Sequence, residues 1–266
     1  MSKISVIVTS YNRKMLLTKT INSILNQTYK NFELIVVDNF SDYDFFGLLK
    51  SFNDKRINGF QHHNNGIISI NRNFGLKKAN SKFLAFCDDD DCWVPQKLET
   101  QINFIQQNNI HDNRFILYTD CLINEEKKVR NKRKTIKYLS DLITSNPITF
   151  STVFSTNFRN EYQFNEKSTY VAVEDHLLWC NLFLGGFKFF KISEPLTVYR
   201  DSIDSKSNKV YGLNHLGAIN VLIKIIKKVY FKNPLILFVL LKKIIIEFIK
   251  YVTKRLIQSV LRKRFD

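Results

Sequence analysis

The sequence has little cysteine, and its cysteines are not arranged in pairs. None of the four belongs to a C-x-x-C motif: they are Cys87, Cys92, Cys121 and Cys180. The first apolar run, after Lys3, ends at Val8, which is shorter than the apolar core of a secretory signal. We therefore expect reduced thiols in a cytoplasmic protein.

The sequence also lacks a long uncharged apolar run. The longest one covers residues 234–241, whereas a membrane-spanning helix needs about 20 apolar residues. No spanning helix is therefore expected. With 266 residues, 44% of them hydrophobic, the chain is long enough for one sizeable α/β domain with an appendage.

Acidic residues are scarce beside basic ones, and the basic excess is unevenly distributed. The chain has 40 Lys and Arg against 24 Asp and Glu, a net charge of +16. Residues 220–266 hold twelve basic and two acidic side chains, and residues 127–137 hold seven more basic ones. This pattern favours two basic patches that face an anionic partner.

Strand-like and helix-like segments alternate in the first half of the chain. The predicted strands cover 4–10, 32–38, 56–62 and 82–88, and helix-like segments include 14–27 and 71–79. Such alternation predicts a mostly parallel sheet with helices on both faces. Ligands of these sheets bind at the carboxyl ends of the strands, where this sequence places Thr9, Tyr11, Asp38 and the aspartates 88–91.

Four consecutive aspartates at the end of a buried strand repel one another unless a positive charge offsets them. Side chains of an extended segment alternate in direction, so Asp88 and Asp90 should point one way and Asp89 and Asp91 the other. One such pair can bind Mg²⁺ or Mn²⁺ together with a nucleotide diphosphate. The run also suits a solvated turn before a helix that starts near Pro95. These residues alone leave both interpretations open.

Six segments occur in order over about residues 3–200: SVIVTSYNR, ELIVVDNFSD, NRNFGLKKAN, FCDDDDCWVPQKL, VEDHLLW and EPLTVYR. Together they resemble the family 2 glycosyltransferases. The resemblance implies an α/β protein of the GT-A (Rossmann-like) fold, with a mostly parallel sheet flanked by helices. To this the sequence adds a C-terminal basic amphipathic helical extension.

The resemblance implies a nucleotide site at the strand ends. Thr9, Tyr11 and Asp38 would hold the base of a uridine nucleotide, and stacking on an aromatic ring and acceptance by a carboxylate are compatible chemistry. Arg72 would face the nucleotide or its diphosphate, and Asp88 would contact the ribose or a metal ion. Each residue taken singly also has a structural alternative. Tyr11 could cap the sheet edge, Asp38 could open a turn, and Arg72 could lie on a solvated helix face.

The resemblance also implies a metal ion and a general base. Asp90 is expected to ligate Mn²⁺ or Mg²⁺ directly, with Asp88 beside it. Asp89 is assigned to the nucleotide and is the alternative ligand, because four aspartates leave the register ambiguous by one. In the catalytic pair Glu174 and Asp175, Asp175 would be the base that deprotonates the acceptor hydroxyl. Both carboxylates also suit the start of a helix.

The sequence departs from the family pattern at two places. Phe40 stands where a glycine is usual, so we expect the turn after the second strand to avoid positive φ. Asp201 and Ser202 follow Arg200 where a histidine is common, which leaves a third metal or phosphate contact unassigned. The five histidines show no ligand spacing and are expected to be ordinary surface or core residues.

We expect a catalytic domain over residues 1–212, with a nucleotide-binding half (1–93) and an acceptor-binding half (94–212), followed by an amphipathic helical region over 213–266. The last region carries a mostly basic polar stripe on an apolar helix: Lys243, Glu247, Lys250, Lys254, Gln258 and Arg262. Such a helix can lie in the headgroup layer of an anionic membrane. It can also pack on the catalytic domain or on a second copy in a homodimer.

The expected function is transfer of one sugar, with inversion, from a nucleotide sugar such as a UDP-hexose or UDP-N-acetylhexosamine. The acceptor would be a hydroxyl of a lipid-linked or cell-surface glycan, as in lipopolysaccharide or capsule synthesis at the inner face of the cell membrane. A sugar-phosphate nucleotidylyltransferase is an alternative, but TSYNRK lacks the glycine-rich loop it needs. A basic nucleic-acid-binding or membrane-binding protein is a second alternative, although nucleic acid is not expected at an acidic rim.

Overall fold

The computed structural model describes most of the chain: residues 3–112, 114–123, 128–129, 135–144, 146–156, 158–200, 213–229 and 238–250. Strands and helices alternate in its first half. They are β1 (Ile4–Ser10), α1 (Lys14–Leu25), β2 (Phe32–Asp38), α2 (Phe45–Ser51), β3 (Ile57–Gln61), α3 (Ile68–Lys78) and β4 (Phe83–Asp88).

The second half is more mixed, with short strands and two 3₁₀ turns, Phe150–Thr152 and Ser168–Tyr170. Its elements are β5 (Cys92–Trp93), α4 (Lys97–Gln107), β6 (Phe115–Ile123), β7 (Lys128–Val129), α5 (Leu139–Thr144), β8 (Phe154–Thr156), α6 (Glu174–Leu184), β9 (Lys188–Tyr199) and α7 (Leu213–Val229). A last helix covers 238–250.

Nine strands form one sheet within the described ranges. Eight follow the order β3-β2-β1-β4-β8-β6-β9-β5, and β7 pairs with β6. The first four strands of this order are parallel, and β8 is antiparallel to both β4 and β6. The mostly parallel α/β sheet of the GT-A class is therefore confirmed.

The central strands are apolar on both faces because a core lies on each side of the sheet. Val6 and Val8 pack into one core together with Leu17 of α1. Ile7 points into the other core, with Leu76 of α3. Burial on both faces fixes the register of the strands, and with it the positions of the polar residues that follow them.

The sequence predicted most of the first elements closely. β1 and β2 have the predicted bounds, and β3 and β4 agree to within one residue at each end. α3 starts at Ile68, three residues before the predicted start at 71, and α1 ends two residues before 27. α7 is a helix within the region 213–266 that was predicted to be helical.

Phe40 corrects one expectation about the turn after β2. Its φ is 53°, so the turn does adopt the left-handed conformation that we expected it to avoid, and that expectation was wrong. The Phe40 ring stacks on His63, with centroids 3.9 Å apart and planes 16° from parallel. An aromatic pair contributes about 0.5–1.5 kcal/mol, comparable to the roughly 1–2 kcal/mol that a left-handed L-residue costs.

The C-terminal helices pack beside α6. Val221 and Ile225 of α7 and Leu240 of the 238–250 helix are buried in the same core as α6. No helix among the described residues combines the length and the hydropathy that crossing a bilayer requires. Lys254, Gln258 and Arg262 of the predicted stripe, and most of the basic run 127–137, lie outside the described residues. The domain boundary at 212 stays a prediction.

Candidate active site

The carboxyl ends of three parallel strands form one rim. Thr9 is in register with Asp88, and Ser10 with Asp38. Thr9 is buried, and its Oγ1 has no hydrogen-bond partner in the described part of the chain, whereas Tyr11 is half exposed. The rim therefore offers an unpaired hydroxyl and an accessible aromatic ring to a ligand.

Asp38 is buried and organises the loop after β2. Its two carboxylate oxygens accept hydrogen bonds from the backbone N–H and the Oγ of Ser41, at 2.8 and 2.5 Å. Gln61 Nε2 donates to it at 3.3 Å. The N–H of Asn12 donates to Ser41 Oγ at 2.8 Å, so the loops after β1 and β2 are joined. A ligand N–H would use the lone pairs that these bonds leave.

Arg72 is buried and connects the acidic run to α6. Its Nη2 donates to Asp88 Oδ1 at 2.9 Å, and its Nη1 donates to Glu174 Oε1 at 2.6 Å. The guanidinium carbon lies 3.7 Å from the centroid of the Phe150 ring, a cation–π contact. One cation thus holds the end of β4 beside the first turn of α6. The guanidinium, which the sequence directed toward a diphosphate, is engaged with two carboxylates.

Arg13 is a second cation at the rim. Its Nη1 lies 3.0 Å from Asp89 Oδ1 and 2.8 Å from Asp90 Oδ2. Burial alone would lower the pKa of Arg13, but the charges of Asp89 and Asp90 outweigh it and raise the pKa. The positive charges of Arg13 and Arg72 therefore offset much of the repulsion among the four aspartates.

Asp91, the last aspartate of the run, is buried and connects neighbouring elements of the fold. Asp91 is fully buried, and its Oδ1 accepts the N–H of Arg200 at 3.0 Å. Its backbone carbonyl accepts the hydroxyl of Thr20 at 2.8 Å. Burial raises the pKa of Asp91 well above its ordinary value, and the charge of Asp88 adds to the rise. Asp91 thus links the β4–β5 turn to α1 and to the end of β9.

Burial and mutual repulsion raise the pKa values of Asp89 and Asp90. Burial raises the pKa of Asp89 to about 7, although Arg13 opposes the rise. The pKa of Asp90 is also raised, first by burial and then by the charge of Asp88. A dication at this rim would lower the pKa values of these carboxyl groups, because it favours their ionised forms.

Asp175 lies at the start of α6, next to Glu174. Its Oδ1 accepts the N–H of His176 at 2.6 Å, and its Oδ2 accepts from Asn146 Nδ2 at 3.1 Å. Burial raises the pKa of Asp175, and the charge of Arg72 opposes the rise. His176 Nε2 lies 2.7 Å from the carbonyl of Leu142, which fixes this end of α6 on α5. Asp175 is therefore a fixed carboxylate with a raised pKa, as a general base requires.

The sequence missed three residues that position the site. Ser151 accepts the N–H of Asp88 on its Oγ at 2.9 Å, Asn146 orients Asp175, and Arg13 pairs with the acidic run. Arg13 lies within the SVIVTSYNR segment and four residues beyond the predicted strand-end threonine, so its place near the rim could have been inferred. Ser151 and Asn146 lie in a segment with no periodic pattern, which gave no signal.

Asp88 and Asp90 are the residues suited to hold a divalent cation. Their side chains are 27% and 15% exposed, against 9% for Asp89. Carboxylate oxygens are the ligands that Mg²⁺ and Mn²⁺ prefer, so this donor set fits a cation whose other ligands come from water and a diphosphate. Among the described residues there is no cluster of three or more His, Cys, Asp or Glu suited to a metal ion held by protein alone.

Known proteins resemble this chain in sequence. The UDP-Glc:alpha-D-GlcNAc-diphosphoundecaprenol beta-1,3-glucosyltransferase WfaP of Escherichia coli is 30% identical over 75% of this chain and 78% of its own length. The GalNAc(5)-diNAcBac-PP-undecaprenol beta-1,3-glucosyltransferase of Campylobacter jejuni is 30% identical over 83% of this chain and 73% of its own length. Glycosyltransferases of Rickettsia that match over 41% of this chain are longer, and the chain spans 16% to 18% of them.

The fold is shared with solved structures. The crystal structure of S. aureus TarS in complex with UDP-GlcNAc superposes with a TM-score of 0.66 at 22% identity, over 83% of this chain and 66% of the TarS chain. Residues 5–160 match the family model described as glycosyl transferase family 2. That match covers more than half of the chain, and the chain therefore belongs to glycosyl transferase family 2.

Proposed function

We propose that the protein transfers one hexose or N-acetylhexosamine, with inversion, from a UDP-sugar to a hydroxyl of a lipid-linked glycan. Two relatives are named for transfer to saccharides on a diphosphoundecaprenol carrier, and one of them for UDP-Glc as donor. Precursors of lipopolysaccharide or capsule have this chemistry. Membership of the family favours this function over a nucleotidylyltransferase or a nucleic-acid-binding protein.

The donor nucleotide would bind at the rim formed by β1, β2 and β4. The exposed ring of Tyr11 offers a stacking face, and the unpaired hydroxyl of Thr9 offers a hydrogen bond. Asp38 fixes the loop that borders this surface and keeps lone pairs for the base. Asp89 would contact the nucleotide near Asp88, and Arg72 would position Asp88 rather than contact the diphosphate directly.

Asp90 and Asp88 would hold Mn²⁺ or Mg²⁺ between the protein and the diphosphate. The cation would supply positive charge that stabilises the leaving UDP. The protein's part is to keep two carboxylates at the end of β4 in position, which the Ser151 and Arg72 contacts of Asp88 support.

Asp175 would act on the acceptor. It would accept the proton of the acceptor hydroxyl while that oxygen forms a bond to the anomeric carbon. The bond from the anomeric carbon to the phosphate oxygen breaks on the opposite side, and the electron pair leaves with UDP. A single displacement inverts the anomeric centre. Glu174 would assist by holding Arg72 at 2.6 Å, next to Asp175.

The single observation that carries this proposal is the guanidinium of Arg72, which contacts both Asp88 and Glu174. This shared contact supports a site in which the candidate metal ligands lie near the candidate base, as a displacement between donor and acceptor requires. A lipid-linked acceptor would place the protein in the cytoplasm, peripheral on the inner face of the cell membrane.

The test is Asp175→Asn. We expect transfer from UDP-glucose to a synthetic lipid-diphosphate saccharide to fall about 10²- to 10⁴-fold, because the amide cannot accept the proton. Affinity for UDP with Mn²⁺, measured by calorimetry, should not change. Asp112→Asn is the matched control, since Asp112 is remote from the rim and precedes the start of β6. Wild-type transfer by Asp175→Asn would overturn the role of Asp175.

A further inference from the structure

The 238–250 helix exposes an apolar face. Its outward residues recur three to four positions apart, and each is about half exposed or more: Phe238, Leu241, Ile245, Phe248 and Ile249. We call these five residues the outer face. Soluble proteins rarely present such a continuous apolar surface without a partner, whereas single exposed apolar residues need no explanation.

One charged side chain of this helix, that of Glu247, turns toward the protein instead. Glu247 is 6% exposed and pairs with Lys243 at 3.1 Å and with Lys250 at 3.2 Å. Leu240 is fully buried on the same side. A helix that only covered the catalytic domain would bury its apolar side and expose its charges. This helix buries Leu240 and Glu247 and also exposes the outer face, so it presents more apolar surface to solvent than a covering helix needs. Of the predicted polar stripe, Glu247 is buried and Lys250 is exposed.

The helix lies close to the acceptor end of the candidate site. Leu240 of this helix is buried in the same core as Leu177 and Trp179 of α6. α7 approaches the start of α6: a Cβ on Gly217 would lie 2.8 Å from Val173 Cγ2. The two C-terminal helices are thus packed against the element that carries Asp175.

Charge decides which occupant suits the outer face. Lys242 and Lys250 are exposed on the helix beside it, and residues 220–266 carry twelve basic against two acidic side chains. A second copy placed on this face would bring the same positive charge and be repelled. An anionic lipid surface would attract it, at about 1 kcal/mol for each basic side chain near the surface.

We propose that the outer face inserts into the headgroup layer of an anionic membrane, with the 238–250 helix parallel to the surface. The five apolar side chains would enter the boundary between headgroups and acyl chains, and the flanking lysines would contact lipid phosphates. This inference rests on the proposed function, because it identifies the surface on which the lipid-linked acceptor is presented to Asp175.

The test measures sedimentation of the full chain with vesicles of phosphatidylcholine alone and of an equimolar mixture with phosphatidylglycerol. We expect binding to the anionic vesicles only, and weakening of that binding as salt is raised. Phe248→Gln should lower the partition constant about tenfold, which corresponds to about 1.4 kcal/mol. Phe46→Gln is the matched control, because Phe46 on α2 is 55% exposed and Phe248 is 56% exposed.

The alternatives give different results. If Phe248→Gln and Phe46→Gln bind anionic vesicles equally well, the outer face does not contact lipid and the proposal is overturned. It is also overturned if sedimentation equilibrium shows a dimer that Phe248→Gln dissociates, since a second copy then covers the face. Unchanged melting temperatures of both variants would exclude unfolding as the cause. Transfer to a water-soluble acceptor reports on the proposed function separately, and Phe248→Gln should leave it unchanged.

Discussion

At the scale of single residues, the site is defined by how four neighbouring carboxylates are kept together. Arg72 contacts Asp88, and Arg13 contacts Asp89 and Asp90. Opposite charges 4 Å apart near a protein surface interact by about 4 kcal/mol, against about 1 kcal/mol in bulk water. Because Arg13 is partly buried, its positive charge is an effective partner for Asp89 and Asp90. A dication bound at this rim would have the same effect on these carboxylates.

We expect Arg13→Gln to lower the stability of the metal-free protein by about 1–3 kcal/mol, because Asp89 and Asp90 lose their charged partner. Mn²⁺ should then stabilise the variant more than the wild type, since the cation takes over the lost charge. Thermal unfolding with and without Mn²⁺ measures both effects. Lys19→Gln, at an exposed position of α1, the helix that follows Arg13, is the control. Equal responses of Arg13→Gln and the wild type to Mn²⁺ would contradict this role.

At the scale of elements, the β4–β5 turn is supported from behind by a buried cluster. Lys97 of α4 is fully buried, and its Nζ lies 4.0 Å from the centroid of the Trp93 ring and donates to Gln101 Oε1 at 3.0 Å. Trp93 Nε1 donates to the carbonyl of Ser151 at 3.0 Å. Ser151 in turn accepts the N–H of Asp88, so α4 supports the position of the candidate metal ligand.

Burial lowers the pKa of Lys97 to about 7, and this predicts a pH dependence. Between pH 7 and the ordinary pKa near 10.5, the unfolded chain binds a proton at this site that the folded chain does not. Stability therefore rises with pH over this range. We expect the gain between pH 7 and pH 9, measured by urea unfolding, to be about 1–2 kcal/mol larger in the wild type than in Lys97→Met. Identical pH slopes would mean that Lys97 is charged when folded.

The sequence predicted the strands whose residues follow one clear apolar pattern. It did not predict conformations in which a side-chain contact opposes a backbone preference. The apolar runs of β2 and β4 predicted where these strands end, and the positions of Asp38 and Asp88 followed from them. At Phe40, stacking on His63 offsets much of the cost of positive φ, and a single sequence does not reveal such a contact. The 238–250 helix was predicted as amphipathic, but periodicity alone does not indicate that Glu247 is buried while Phe248 and Ile249 are exposed.

At the scale of the whole molecule, the sheet brings distant segments to one rim, and the C-terminal helices pack beside it. Basic charge is concentrated in residues 220–266 of the sequence, while the rim is acidic. A molecule with this separation of charge orients in the field of an anionic surface before contact. The rim accepts an anionic nucleotide only when cations at the rim offset its carboxylates.

We expect UDP to raise the melting temperature only when Mn²⁺ or Mg²⁺ is present, because the diphosphate otherwise meets an acidic rim. A ligand at 100 times its dissociation constant adds about 2.7 kcal/mol to the free energy of unfolding, which a thermal shift assay detects. Asp90→Asn should abolish the stabilisation, whereas Asp42→Asn, at an exposed carboxylate, should preserve it. Stabilisation of the wild type by UDP in the presence of a chelator would argue against a shared cation.

The contact between Arg72 and Glu174 joins positions that are 102 apart along the chain. Closing so long a loop has an entropic cost that must be met before the contact forms. During synthesis from the N-terminus, Arg72 is made long before its partner on α6. A nascent chain that ends before residue 174 would contain strands β1 to β4 and the four aspartates. Its Arg72 guanidinium would then have Asp88 but not Glu174 as an anionic partner. We therefore expect the candidate site to be completed late in folding, and a truncated chain to be unstable there rather than in the parallel strands.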